Sequence, residues 1–160
     1  MGWVNELLAR LTNSPVQDET QTNHTLDSSP ITFPLNRNIY ADFTHDDEIA
    51  AIVSAIGLFR QPEPLDPTSP NPKRTWRSNF IVPFSSHIVF ERLSCTEGNQ
   101  DAQTKIRILA QDRVLDLDLC GGDQDGLCTL SAFVHSQSFA RNNGDGDWQK
   151  CFINTTSSSR

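Results

Sequence analysis

Thr44, His45, Asp46, Asp47 and Glu48 follow one another directly, setting one imidazole beside a row of carboxylates. A protonated imidazole holds a phosphate oxygen, and a carboxylic acid beside it can protonate a departing alcohol. The same residue types also make an ordinary helix start, with Thr44 as N-cap and first-turn carboxylates complementing the dipole. Spacing alone serves both readings. Asp116 and Asp118 invite a metal, yet strand alternation puts them on one solvated face opposite Leu115, Leu117 and Leu119. The Asp and Gly clusters at 123–126 and 143–147 lack the Gly and Glu positions of a calcium loop and read as turns. The four cysteines, Cys95, Cys120, Cys128 and Cys151, fit none of the tight pairs that hold zinc, so no metal or other cofactor is expected.

Cys120 and Cys128 flank a Gly-rich stretch, Gly121 to Gly126, flexible enough to bring the sulfurs together. Two buried free thiols fit the composition equally well. The sequons Asn23-His24-Thr25 and Asn154-Thr155-Thr156 lean toward an oxidising, secretory setting.

A strand and a helix must position the His-Asp pair. Ile39 to Phe43 predict a short strand, and from Asp46 to about Phe59 the residues Ile49, Val53, Ile56 and Phe59 recur on one helical face. A strand giving way to a helix presents its last residues at the carboxyl edge of a sheet, where α/β proteins place ligand sites. Upstream, Trp3, Val4, Leu7, Leu8 and Leu11 form the stripe of a first helix that stops at Asn13 to Pro15, and Val16 to Asn38 reads as an extended surface connection. Five prolines make Gln61 to Pro72 a loop, whose P-x-x-P spacings also suit an SH3-like partner. Further on, a strand is expected near Ser86 to Leu93, and a hairpin of Lys105–Ala110 and Arg113–Leu119 about Gln111-Asp112. A helix capped by Thr129 and running to about Arg141 follows.

The 160 residues suit one domain and exclude two large ones. The apolar share of 36%, about 40% with glycine added, falls below the roughly 45–50% of a globular chain. Either the surface is unusually polar or part of the core is supplied from elsewhere. A net charge of −7 and a pI near 4.9 argue against nucleic acid and acidic membranes as partners. No run of 18 apolar residues exists, so no span of a bilayer is expected. Glu6 and Arg10 interrupt the only apolar amino-terminal stretch, and no signal peptide is expected in this chain.

Several stretches resemble the carboxyl-terminal part of fungal phytases of the histidine acid phosphatase family: Asn5-Glu6-Leu7-Leu8-Ala9-Arg10-Leu11-Thr12, Asn23-His24-Thr25-Leu26-Asp27-Ser28-Ser29-Pro30, Thr32-Phe33-Pro34-Leu35-Asn36 and Tyr40-Ala41-Asp42-Phe43-Thr44-His45-Asp46. Val82-Pro83-Phe84, Asp112-Arg113-Val114, Ser138-Phe139-Ala140-Arg141 and Cys151-Phe152 continue the likeness. It implies an α/β fold: residues 1–153 as the carboxyl-terminal part of a phosphoglycerate-mutase-like histidine phosphatase domain, a central sheet flanked by helices, with 154–160 a disordered tail. It also implies a metal-independent reaction, hydrolysis of phosphomonoesters such as inositol hexakisphosphate through a phosphohistidine. In that reaction His45 contacts the transferred phosphate and Asp46 acts as general acid, with Asp47 beside them in the substrate site. The resemblance further implies a Cys120–Cys128 disulfide, partners for Cys95 and Cys151 outside this chain, and secretion, while the two sequons make Asn23 and Asn154 the expected glycan sites.

The family's nucleophile belongs to an R-H-G-x-R-x-P motif, whereas His24, His45, His87 and His135 follow Asn23, Thr44, Ser86 and Val134. The expected partner is therefore the missing amino-terminal half of the enzyme, and the isolated chain is expected to be inactive. Asp47 stands where family members usually carry Asn. A non-catalytic secreted binding module or degenerate paralogue is the alternative, and a Pro-rich interaction domain a third class. A chain lacking half its enzyme is also expected to leave the face of Trp3, Leu7 and Leu11 open to water.

Overall fold

A computed structural model describes residues 1–152 apart from Gln21, Glu97, Asn99 and Gln100, and the Trp148 side chain is likewise outside the description. The tail at 154–160 and the Asn154 sequon lie outside the described residues.

The fold is mixed α/β, built on an antiparallel sheet of four strands. Strand β1 (Ile88–Cys95) pairs along its length with β2 (Gln103–Ala110), from Ile88 opposite Ala110 to Cys95 opposite Gln103. The other edge of β2 takes β3 (Arg113–Val114) near its end and β4 (Leu127–Thr129) near its middle. Strand β2 is thus central, and alternation buries Ile106, Ile108 and Ala110 on one face.

Onto the core pack α1 (Gly2–Thr12), through Val4, Leu7, Leu8 and Leu11, and α3 (Asp46–Ile56), through Val53 and Ile56. Helix α1 ends on Asn13 in the left-handed region (φ 53°), and α3 ends on Gly57 (φ 89°). Leu7 and Leu11 are buried and Trp3 is partly buried, so the expectation that this face lies open to water is overturned. The sheet and α3 cover that face with residues of this same chain. Helix α4 (Ser78–Ile81) adds Ile81 to the core.

Other expectations shift in detail. The connection from Val16 to Asn38 contains a turn of helix, α2 (His24–Asp27). The Thr129-capped helix breaks at Gln137 into α5 (Leu130–Ser136) and α6 (Ser138–Arg141), and buried Gln137 donates from Nε2 to the Ile56 carbonyl at the end of α3. The second hairpin strand is only two residues long, and a 3-10 turn, Asp118–Cys120, replaces its far end. Leu117 is nevertheless buried between exposed Asp116 and Asp118, so the alternation survives without a ladder. A last short helix, α7 (Asp147–Lys150), follows.

Residues Ile39 to Phe43 form no strand. A strand exists only with a neighbour for its N–H and C=O groups, and no described segment forms a ladder with this one. Ile39 is 84% exposed and Phe43 97% exposed. The Pro-rich loop is a loop, closed at its base by Gln61, whose Oε1 accepts from the amides of Thr75 (2.9 Å) and Trp76 (3.2 Å).

Candidate active site

Helix α3 begins at Asp46, and the N-cap is His45, in extended conformation (φ −109°, ψ 169°), not Thr44. The His45 carbonyl accepts the amide of Ile49 at 3.1 Å, the first turn of the helix. The Thr44 hydroxyl reaches past the cap position and donates to the Glu48 carboxylate, while Asp47 Oδ1 accepts the Glu48 amide at 2.9 Å. The His45 ring makes no capping bond. Residues 44 to 48 are all exposed, so the imidazole and the Asp46 carboxylate both stand in solvent at a helix N-terminus, where backbone N–H groups favour an anion. Three consecutive carboxylates, Asp46, Asp47 and Glu48, oppose that preference locally.

Clefts elsewhere do not include these residues. One of 180 Å³ lies between α1, the Ser14–Gln17 turn, Val134 and Arg141; another of 600 Å³ lies between Thr12, the start of β2 and Leu130. Among the described residues no group of three His, Cys, Asp or Glu side chains is arranged to hold a metal ion.

The approach to the pair is anchored in a way the sequence reading missed. Asp42 Oδ2 accepts from Trp3 Nε1 at 3.0 Å and from Arg10 Nη1 at 2.7 Å. The Arg10 guanidinium also lies 4.9 Å from the Phe33 ring centre and 5.1 Å from that of Tyr40, within cation–π range. Trp3 and Arg10 are seven residues apart, two helical turns, and so share one face of α1. A cation on the flank of an apolar stripe was the available signal. Beside this group, burial raises the Glu6 carboxyl above its ordinary range; Arg10 opposes the shift, and Asp27, Asp42 and Asp18 reinforce it.

Asn23 is exposed and caps α2, its Oδ1 accepting the Thr25 amide at 3.1 Å. Cys120 and Cys128 are disulfide-bonded with Cα atoms 6.0 Å apart, and Cys95 and Cys151 are free thiols. Inside the bridged loop Asp123 Oδ1 accepts the amides of Asp125 (3.1 Å) and Leu127 (2.9 Å), with Lys105 Nζ at 3.2 Å from Oδ2. These bonds, that from Leu127 foremost, hold the Asp123 carboxyl below its ordinary range against a smaller opposing effect of burial.

Residues 1–111 match the histidine phosphatase superfamily (branch 2), a span that takes in His45 and Asp46. The chain is 45% identical over 154 residues to Phytase A of Aspergillus awamori, an alignment covering 94% of this chain and 32% of that protein. It is 43% identical to Phytase A of Emericella nidulans, covering 95% of this chain and 32% of the relative, and 40% identical to that of Arthroderma benhamiae, covering 96% and 34%. The chain spans about a third of the length of the curated relatives it matches.

Proposed function

The chain belongs to the histidine phosphatase superfamily (branch 2), and from that membership we propose that it is the carboxyl-terminal portion of a phytase-like acid phosphatase. It supplies a phosphate contact and a general acid to a site completed by an amino-terminal portion. The observation that carries this reading is the exposed His45-Asp46 pair at the N-terminus of α3, in a chain with 45% identity to a phytase.

The substrate class is a phosphate monoester, inositol hexakisphosphate in first place. His45, as imidazolium at acid pH, pairs with a phosphate oxygen beside the α3 amides. A nucleophilic histidine from the amino-terminal portion attacks phosphorus; the N–P bond forms as the P–O ester bond breaks. Asp46 gives its proton to the departing alkoxide. In the second half-reaction it takes a proton from the water that cleaves the N–P bond, regenerating the acid and releasing inorganic phosphate. Asp47 adds a carboxylate at the same helix turn and weakens phosphate binding relative to Asn. We further propose that the complete protein is secreted and carries a glycan on the exposed Asn23.

Joining the chain to the amino-terminal two thirds of Phytase A from Aspergillus awamori tests the assignment. Release of phosphate from inositol hexakisphosphate at acid pH is expected from the joined protein and not from the 160-residue chain. Asp46→Asn is expected to slow esters with poor leaving groups by roughly 10²–10⁴-fold, and activated aryl esters far less. Robust turnover by the chain alone would sink the need for a second portion; equal losses on both ester types would remove Asp46 from the acid's role.

A further inference from the structure

We propose that Arg10, Trp3 and Asp42 form a clamp that positions His45 and Asp46. The importance of the clamped pair rests on the phosphatase reading above; the clamp itself rests on geometry.

Among the described residues, the segment before α3 is placed by side-chain contacts. Residues 37–45 lie in no helix or strand, and Ile39 and Phe43 are almost wholly exposed, so neither a ladder nor burial of these side chains holds the backbone. Two of its side chains instead converge on one cation. The Asp42 carboxylate bonds Arg10 and Trp3, and the Tyr40 ring lies beside the Arg10 guanidinium while its hydroxyl accepts the Arg37 amide at 3.1 Å. Only Phe43 and Thr44 separate Asp42 from His45, and the Thr44 hydroxyl is itself bonded to Glu48 of α3. The backbone carrying the imidazole is thus held on one side by α3 and on the other, three residues away at Asp42, by α1.

Arg10 accepts an unfavourable condition to do this. Its Nε is buried without a hydrogen-bond partner, and its side chain is only 16% exposed. A flat cation beside two rings that also donates to a carboxylate is a task lysine does not perform, because an ammonium has neither the plane nor the fixed fork. Arg10, Trp3 and Asp42 are positioning residues: they act through the peptide chain on the pair that meets phosphate.

Two measurements test the clamp. In the 160-residue chain, ¹⁵N relaxation is expected to show Phe43, Thr44 and His45 as ordered as α3. Asp42→Ala and Arg10→Gln are expected to free them while α1 and α3 keep their order; Asp42→Asn, which retains an acceptor, gives an intermediate effect, and Arg10→Lys does not restore order. A segment already mobile in the unsubstituted chain, or equally ordered in every variant, overturns the proposal. In the protein joined to the amino-terminal portion of a relative, Asp42→Ala is expected to lower kcat about 100-fold on esters with poor leaving groups, with KM changed only a few-fold. A rise in KM at unchanged kcat would also overturn it. Should the unsubstituted joined protein show no turnover, the phosphatase reading falls, and the relaxation measurement alone decides the clamp.

Discussion

The fold alters the protonation of His87. Its Nε2, just before β1, lies 3.1 Å from Asp112 Oδ1 in the β2–β3 turn, and its Nδ1 lies 3.4 Å from the Ser85 carbonyl. The hydrogen bond to Asp112, then that to Ser85, raises its pKa above the ordinary 6.5. A raised folded-state value means that the pair's contribution to stability is full below about pH 6.5 and fades as pH climbs through the folded-state value. Both partners are solvent-exposed, so the contribution is small. Asp112→Asn should bring the His87 midpoint in a proton NMR titration back down toward 6.5 and flatten the pH dependence of the melt just above it. An unchanged midpoint would show that Asp112 is not the cause.

Among the elements, the turns carry the conditions that side chains cannot evade. Gln111 and Asp112 both sit at positive φ (49° and 61°), the geometry a two-residue hairpin requires, though neither is glycine. Gln111 offsets its strain by donating to the carbonyls of Phe80 (3.2 Å) and Ile81 (2.9 Å) and accepting the His87 amide (3.1 Å). Two glycines at positive φ differ in what surrounds them. A Cβ at Gly57 meets nothing within 4 Å, whereas one at Gly126 falls 2.4 Å from Val114 Cγ1 and 2.9 Å from the Leu115 carbonyl oxygen. Gly57→Ala should therefore cost only backbone strain, about 1–2 kcal/mol. Gly126→Ala should cost clearly more, since β3 or the bridged loop must shift as well. Urea unfolding of the two variants, compared at equal m-value, checks the ranking; equal losses would contradict it.

For the whole molecule, the low apolar share becomes intelligible once burial is mapped. The core is continuous from α1 through the sheet to α5, while Ile39, Phe43 and Phe84 are almost fully exposed. Large apolar side chains left in water promote association. The isolated chain is expected to self-associate in a concentration-dependent way, and the double substitution Ile39→Thr with Phe43→Ser to reduce this without lowering the melting temperature, because neither side chain packs in the core. Sedimentation velocity over a range of concentrations reads the first expectation and a thermal melt the second. Unchanged association would place the sticky surface elsewhere, with Phe84 the next candidate. The chain matches the histidine phosphatase superfamily (branch 2) and spans about a third of the length of the curated relatives it matches.

Features set by neighbours a few residues apart were legible in the sequence. The stripe of α1, the helix opening at Asp46, the strand near Ser86 to Leu93, the hairpin about Gln111-Asp112 and the Thr129 cap rest on periodicity, a capping side chain or a short turn. The proposed His45-Asp46 pair needed no tertiary information to be picked out, because its two residues are neighbours in the chain. Tertiary structure alone decided the rest. Ile39 to Phe43 carry strand-forming side chains and make no strand, because a ladder needs a second segment that no local pattern supplies. The buried Gln137 side chain meets a carbonyl 81 residues away, and the anchoring of Asp42 on Arg10 spans 32 residues. The burial of Leu7 and Leu11 depends likewise on where α3 and the sheet come to rest. Such contacts gain their energy only after the intervening loop has closed, so nothing in the residues on either side announces them.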